Sequence, residues 1–411
     1  MATLIKSSIF RIGVAYALGV MAAMTVSEAV TELGAIAREF HVFEHGQIGL
    51  IMSLPSLMVA LGALLAGYIV DRAGDRIVLL FGAMVMIAGN LCVILAPAFP
   101  PLLAGRAVTG IGYVLTAVAA VTLLIRITTG KQRTMAMALW STFVPASFLL
   151  PFLSAGLAAH FGNWRAAFIA HSLLTLLLAF FALISLPRRT AEEKNQFSRT
   201  RGLRMVLKSP LPYLLGISFG ADAFLQTGMI STLTPYLAKV YGVRELEVAH
   251  WNAVAMVCNG IGCLMVGALL NRGIRAVVIA FAGVLLTCLS GLALYTLQTG
   301  FMFSIAASWI FMFGSGLLVG MWALVPIVAP SRESIGATSG LITQLTLVGV
   351  FLGPPLFIAA QNAESPHASA MLIIAGLVVC LTGIPIWLRD LRYGVAAGGN
   401  APEGGTLKGH G

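Results

Sequence analysis

The sequence predicts an all-α integral membrane protein, with twelve transmembrane helices in two pseudo-symmetric bundles of six. Three observations carry this. Of the 411 residues 59% are hydrophobic and only 10% charged, against about 25% charged in an ordinary soluble domain. Mean hydropathy is +0.94, and long apolar runs recur, each able to cross a bilayer core. Finally, the chain repeats itself: Gly67-Tyr-Ile-Val-Asp71-Arg72 returns 200 residues later as Gly267-Ala-Leu-Leu-Asn271-Arg272. A second pair, Leu33–Phe40 and Thr234–Tyr241, is offset by 201. A soluble helical protein would need amphipathic helices with polar outer faces, and few are present.

In order, the apolar segments run 10–34, 47–70, 77–97, 101–126, 134–159, 165–187, 211–237, 249–270, 274–296, 300–327, 335–360 and 367–388. The first is read as a retained span rather than a cleaved signal, because equally apolar segments follow it. The longest polar interruption, Arg188–Lys208, falls between the sixth and seventh. The expected organisation is therefore a bundle over 1–187, a cytoplasmic linker over 188–209, a bundle over 210–393 and a Gly-rich tail over 394–411 that is expected to be disordered.

The charge balance orients these spans. Of the 25 Lys and Arg, only Arg38, Arg165, Lys239 and Arg244 fall on one side, and Arg106 lies inside the fourth span. The others, among them Lys6, Arg11, Arg72, Arg76, Arg126, Arg189, Arg272 and Arg332, share the opposite side. The positive-inside rule makes that side cytoplasmic, with both termini there. The net charge of +10 is thereby explained without nucleic acid. Cys92, Cys258, Cys263, Cys288 and Cys380 lie in apolar segments without metal-ligand or disulfide spacing. They read as buried and reduced.

Between spans two and three the chain reads Gly67-Tyr-Ile-Val-Asp71-Arg72-Ala-Gly74-Asp-Arg76. This resembles the loop signature of the major facilitator superfamily, Gly-x-x-x-Asp-Arg/Lys-x-Gly-x-Arg/Lys, at the family's own position. Arg106-Ala-Val-Thr-Gly110-Ile-Gly112 in span four, Trp164-Arg165-Ala-Ala-Phe168 opening span six, and Gly353-Pro354-Pro355 in span eleven are similar to further family features. The resemblance covers essentially the whole chain. It implies the bacterial twelve-helix fold of that family and secondary transport by alternating access.

Gly67 allows close helix approach, and Gly74 allows a tight turn. The resemblance implies that Asp71 meets the N-terminus of span eleven near Ser334–Gly336, where a helix favours an anion. That contact would hold the cytoplasmic side closed, with Arg72, Arg76 and Arg126 completing the cluster. For Arg72 and Arg76 the alternative is that they are topology determinants only, the stronger reading for Arg76. In span five, prolines 145 and 151 stand without the flanking glycines of proton-driven drug exporters. This speaks against multidrug export and leaves import or exchange of a metabolite more open.

Ionisable side chains inside spans are costly and usually face a cavity or a partner. Glu28 and Glu32 are spaced one helical turn apart on span one. Close carboxylates disfavour double ionisation, so one of them is a candidate proton carrier; solvation near the outer interface is the alternative for Glu32. Asp222 and Gln226 share a face of span seven, which corresponds to span one in the repeat. Arg106 is a candidate either for pairing with an anionic substrate or for packing and proton coupling. Trp140, Asn259, Trp322, Thr343 and Gln344 are further cavity candidates. Each alone is more often a packing residue, but together they fit a cavity for a small polar or amphipathic molecule.

Neither a phosphate loop, a His-Glu-x-x-His zinc site nor a Gly-x-Ser-x-Gly elbow occurs, so no catalysis, cofactor or metal is expected. The expected function is secondary active transport of a small solute in the inner (plasma) membrane by a monomer. Symport or antiport of a small organic anion with protons is the first reading. Proton-driven efflux of drugs or sugars is the alternative, and a non-transporting receptor or enzyme ranks lower.

Overall fold

In lipid an exposed backbone amide finds no water, so each span must satisfy its own hydrogen bonds as a helix. The computed structural model describes residues 7–29, 32–42, 45–148, 163–190, 201–297, 299–362 and 367–389. Among these residues the regular structure is entirely helical. The helices are α1 (Ser8–Ser27), α2 (Leu33–Glu39), α3 (His45–Ala73), α4 (Asp75–Ile94), α5 (Phe99–Ile127), α6 (Gly130–Ser141) and α7 (Arg165–Ser185). They continue as α8 (Arg201–Lys208), α9 (Pro210–Tyr241), α10 (Glu245–Asn271), α11 (Ala276–Thr296), α12 (Phe301–Val319), α13 (Ile335–Asn362) and α14 (Ala368–Cys380).

Ten helices among the described residues are long and apolar enough to cross a membrane. Of the other two expected spans, the fifth is described only to residue 148. The seventh is α9, whose 32 residues reach about 48 Å but include Ser218, Asp222, Gln226, Thr227 and Thr232. The tail 394–411 and linker residues 191–200 lie outside the described residues.

Two boundaries differ from the sequence reading. The expected first span, 10–34, is broken: α1 ends at Ser27 with Glu28 as its C-cap, and Glu32 is the N-cap of α2. Glu28 and Glu32 therefore do not share one continuous helical face. The break has a tertiary reason, since the Thr25 carbonyl in the last turn accepts from Arg106 Nη2. Within the expected linker, α8 is helical, and its Val206 is buried against Ala337 and Leu341 of α13.

The turn between α3 and α4 passes through Gly74 at φ 98°, a conformation that favours glycine. In the second copy of the repeat Gly273 takes φ 87°. Close helix crossings repeat as well. A Cβ on Gly112 would lie 2.8 Å from the Gly82 carbonyl, and one on Gly314 3.0 Å from that of Gly283.

Surface and interior are inverted relative to a soluble protein. Leu61, Leu65, Phe81, Leu173, Leu285 and Met371 are exposed, whereas Glu28, Arg106, His171, Asn259 and Asp222 are buried. In the first half, α5 packs on α1, α3 and α4, and α7 on α1 and α4. In the second, α12 packs on α10 and α11, and α9 on α13 and α14. The halves meet through α3 against α13 and α6 against α10. On the face opposite the α1 start, α2 is tied to the start of α7. Arg165 donates to both Glu39 oxygens at 2.9 and 2.6 Å, and Trp164 Nε1 donates to Oε2 at 2.6 Å. These hydrogen bonds from Arg165 hold the Glu39 carboxyl below its ordinary range.

Candidate functional site

The α3–α4 loop carries the first part of the site. Asp71 reaches across to the other half, where the Gly336 and Ala337 amides, at the start of α13, donate to Oδ1 and Oδ2, each at 2.8 Å. These are free first-turn donors, and the helix dipole favours the anion. Gly67 and Gly336 make the approach possible. A Cβ on Gly67 would overlap the Gly336 carbonyl, and one on Gly336 would stand 2.5 Å from Asp71 Oδ1. Further along the same crossing the Leu64 amide donates to Gln344 Oε1 at 3.2 Å. On the second inter-half contact Asn271, the repeat counterpart of Asp71, donates to the Lys131 carbonyl at 3.2 Å.

The arginines around this loop divide their work. Arg126 pairs with Asp75 at 2.7 Å and also donates to the Pro187 carbonyl. Arg189 donates to the Asp71 carbonyl at 2.7 Å and sits 3.5 Å from Asp75. Arg72 donates to Tyr68 Oη, and Arg76 to the Leu183 carbonyl. Asp75, not Asp71, is thus the carboxylate that gathers the arginine side chains. Asp71 is left for the helix terminus.

The second part lies inside the first half. Glu28 and Arg106 are wholly buried and paired at 2.6 Å. Arg106 Nε donates to the Ile51 carbonyl at 2.8 Å, and its face lies over the Phe168 ring at 5.6 Å. The other Glu28 oxygen, Oε2, stands 2.5 Å from His171 Nδ1, and His171 Nε2 is 3.0 Å from the Met21 carbonyl. Asn90 Nδ2 is 3.1 Å from the same Nδ1. Charges buried in this way persist only when paired and hydrogen-bonded.

In the second half Asp222 is buried and accepts from Ser315 Oγ at 3.0 Å. Its Oδ1 has no hydrogen-bond partner among the described residues. Asn259 donates to the Met312 carbonyl at 3.0 Å, and Cys263 Sγ contacts the Ser141 carbonyl at 3.7 Å. Trp140 is buried and stacked on Phe143 at 4.5 Å, and Trp322 is stacked on Phe219 at 5.4 Å. Gln226 and Thr343 are half-buried. The structure thus brings Glu28 together with Arg106, and Asp222 with Asn259 through Ser315. Glu32 is buried.

His171, Asn90, Asp75 and Arg189 were missing from the candidates drawn from sequence. For His171 the signal was present, since it is an ionisable residue within the apolar run of span six. Asp75 lay within the loop signature, at a position the signature leaves open. Nothing local marked Asn90 or Arg189.

A helical membrane protein with an inter-half carboxylate latch and a buried ion pair has the architecture of a transporter, and comparison with known proteins identifies which kind. The model of the Major Facilitator Superfamily matches residues 11–354, and the chain belongs to that family. It is 25% identical over 389 residues to the 3-(3-hydroxy-phenyl)propionate transporter of Escherichia coli K12, covering 90% of this chain and 92% of that protein. It is 27% identical over 158 residues to the arabinose-proton symporter of the same strain, covering 38% of this chain. That match spans about a third of the symporter's length, 34%. The fold is similar to that of the proton:xylose symporter XylE (TM-score 0.73, 14% identity, 92% of this chain and 96% of that one). It is also similar to the human organic anion transporter MFSD10 (TM-score 0.69, 13% identity, 91% and 99%).

Proposed function

We propose that the protein is a proton-coupled secondary transporter of a small organic anion, working by alternating access between bundles 1–187 and 210–393. The basic face is cytoplasmic, the membrane is the inner (plasma) membrane, and the working unit is a monomer. The observation that carries this reading is the latch. Asp71 joins the two halves through two amide hydrogen bonds beside bare glycine contacts, polar bonds that can be released and remade. Near full-length likeness to a transporter of an aromatic carboxylate supports an anionic substrate.

Glu28 and Arg106 supply the coupling chemistry. With Glu28 ionised, Arg106 is neutralised internally. A proton on Glu28 weakens that pairing and turns a guanidinium hydrogen bond toward a substrate carboxylate. Proton and anion then bind together, as symport requires, and leave together. In the second half Asp222, linked to Asn259 through Ser315, stands with Gln226 and Trp322 as the remaining substrate candidates, and Trp140 joins them from the first half. No part of this scheme calls for catalysis.

The test is uptake into proteoliposomes of labelled 3-(3-hydroxyphenyl)propionate, with arabinose as the uncharged comparison. Accumulation of the carboxylate under an inside-alkaline gradient, collapsed by a protonophore, is expected. Equilibration to the same level with and without the gradient would mean a uniporter. Accumulation of arabinose alone would make the substrate a sugar.

A further inference from the structure

His171 is the ionisable residue in the buried cluster that the coupling scheme above leaves without a task. Its hydrogen bonds restrict where protons can be. The Met21 carbonyl only accepts, so the imidazole nitrogen facing it at 3.0 Å, Nε2, carries a hydrogen. The other nitrogen, Nδ1, stands 2.5 Å from Glu28 Oε2. A bare ring nitrogen and a carboxylate oxygen would oppose lone pairs at that distance, so one proton lies between them. The pair is then either imidazolium with carboxylate or imidazole with carboxylic acid. Both forms hold the same proton and the same total charge.

The surroundings offer a second arrangement. Asn90 Nδ2 is 3.1 Å from the same Nδ1, and an amide nitrogen donates. Once the shared proton has left, the Nδ1 lone pair can accept from Asn90, and the Glu28 carboxylate can give both oxygens to Arg106. Among the described residues the charged groups that meet His171 are few. Glu28 comes from the end of α1 and Arg106 stands beyond it on α5; α4 contributes the uncharged Asn90, and α3 only the Ile51 carbonyl to Arg106.

We propose that His171 and Glu28 hold the coupling proton jointly, and that Asn90 takes over His171 Nδ1 when the proton departs. Loading adds one proton to the pair, and unloading returns one to solvent. This deepens the proton-coupled reading and rests on it. In function, His171 sets when Glu28 lets go of Arg106. A proton shared across two residues can also leave without stranding a bare charge in the protein interior.

The direct test needs neither substrate nor variant. In the full chain, labelled at histidine ring nitrogens and glutamate carboxyls, magnetic resonance is followed from about pH 5 to about pH 9. The His171 signal is identified by its contact with Glu28. The expected result is one step in which Nδ1 changes from proton-bearing to accepting while the Glu28 carboxyl moves at the same pH. A Glu28 step with His171 Nδ1 unchanged would overturn the proposal, and so would an unchanged pair.

Transport separates this outcome from failure of the coupling reading. For labelled 3-(3-hydroxyphenyl)propionate, His171→Gln should lower gradient-driven accumulation about 10-fold or more. Exchange across equal pH, which needs no net proton movement, should fall by less than the gradient-driven accumulation does. Loss in Glu28→Gln with full accumulation and an unchanged pH profile in His171→Gln would sink the role of His171 and leave proton coupling standing. Wild-type uptake indifferent to the gradient would sink the coupling reading, and the resonance step would still decide the shared proton.

Discussion

The two halves of the chain repeat one backbone plan and carry unequal chemistry. In the first half Glu28, Arg106 and His171 are buried together, each bonded to the next. In the second, Asp222 is buried with Ser315 as its bonded neighbour and one oxygen without a partner among the described residues. The latches differ in the same sense. Asp71 puts a carboxylate on two helix-end amides, while Asn271 makes one neutral hydrogen bond to a carbonyl. The repeat therefore specifies helix crossings and turns, where glycine and backbone geometry matter. It keeps Arg72 as Arg272 but not Asp71 or the buried Glu28, Arg106 and His171 cluster, so each half can take a separate task in one cycle.

The largest effect should come from the first-half cluster. Arg106→Met takes the guanidinium from Glu28 and leaves the Ile51 and Thr25 carbonyls without its donors, which costs about 3–5 kcal/mol for a broken buried pair. Thermal unfolding in detergent should show it. Asp222→Asn keeps the volume and removes the charge, and should change stability by less than about 1 kcal/mol. Equal losses in the two variants would erase the contrast between the halves.

Next in size is the crossing of α3 and α13. Gly336→Val places a Cβ 2.5 Å from Asp71 Oδ1 and 2.7 Å from the Gly67 carbonyl, so the latch cannot close. Cysteines placed along 63–71 should react with a thiol reagent applied at the basic face, whereas in the parent they stay protected. Protection in both proteins would contradict the gating role of this contact.

Smaller still is Asp71→Asn, which retains an acceptor and loses the charge at the helix terminus. It should favour the open basic face by about 1–2 kcal/mol, slowing transport without abolishing substrate binding. Asn271→Ala should shift the same accessibility by no more than about 0.5–1.5 kcal/mol, the net worth of one neutral hydrogen bond. A larger effect from Asn271 would reverse the ranking of the two latches.

The smallest effect lies at Glu39 and Arg165, at the end of α2 and the start of α7. The Glu39 carboxyl is held below its ordinary value by Arg165. Its contribution is therefore present above the unfolded value of about 4.3 and is lost as pH falls through the lower folded value. With the Glu39 side chain 41% exposed, solvent screening keeps the pair under about 1 kcal/mol. Melting curves of Glu39→Gln and the parent should differ slightly at neutral pH and converge in acid.

Much of the fold was legible because membrane insertion is governed by local hydropathy. The loop signature marked Gly67, Asp71 and Gly74, whose geometry depends on neighbours in sequence. The ionisable Glu28, Arg106 and Asp222 stood out because a charge in an apolar run is conspicuous. The break after Ser27 was not legible, since Val30, Ala29 and Leu33 continue the apolar pattern and the cause is a distant guanidinium. Arg126 gave no sign of choosing Asp75, because both carboxylates lie within four residues of one another.

By itself the sequence determined the solvent of this protein, most of its spans, the repeat and the positions of its costly charges. Each of these depends on composition within a few helical turns. Only the tertiary structure decided that Glu28 meets Arg106 78 residues away and His171 143 away, and that Asp71 meets Gly336 across 265. The physical reason is that a membrane helix is apolar toward lipid and toward its neighbours alike. Hydropathy then cannot say which face packs where, and small residues, polar pairs and close contact choose the partners.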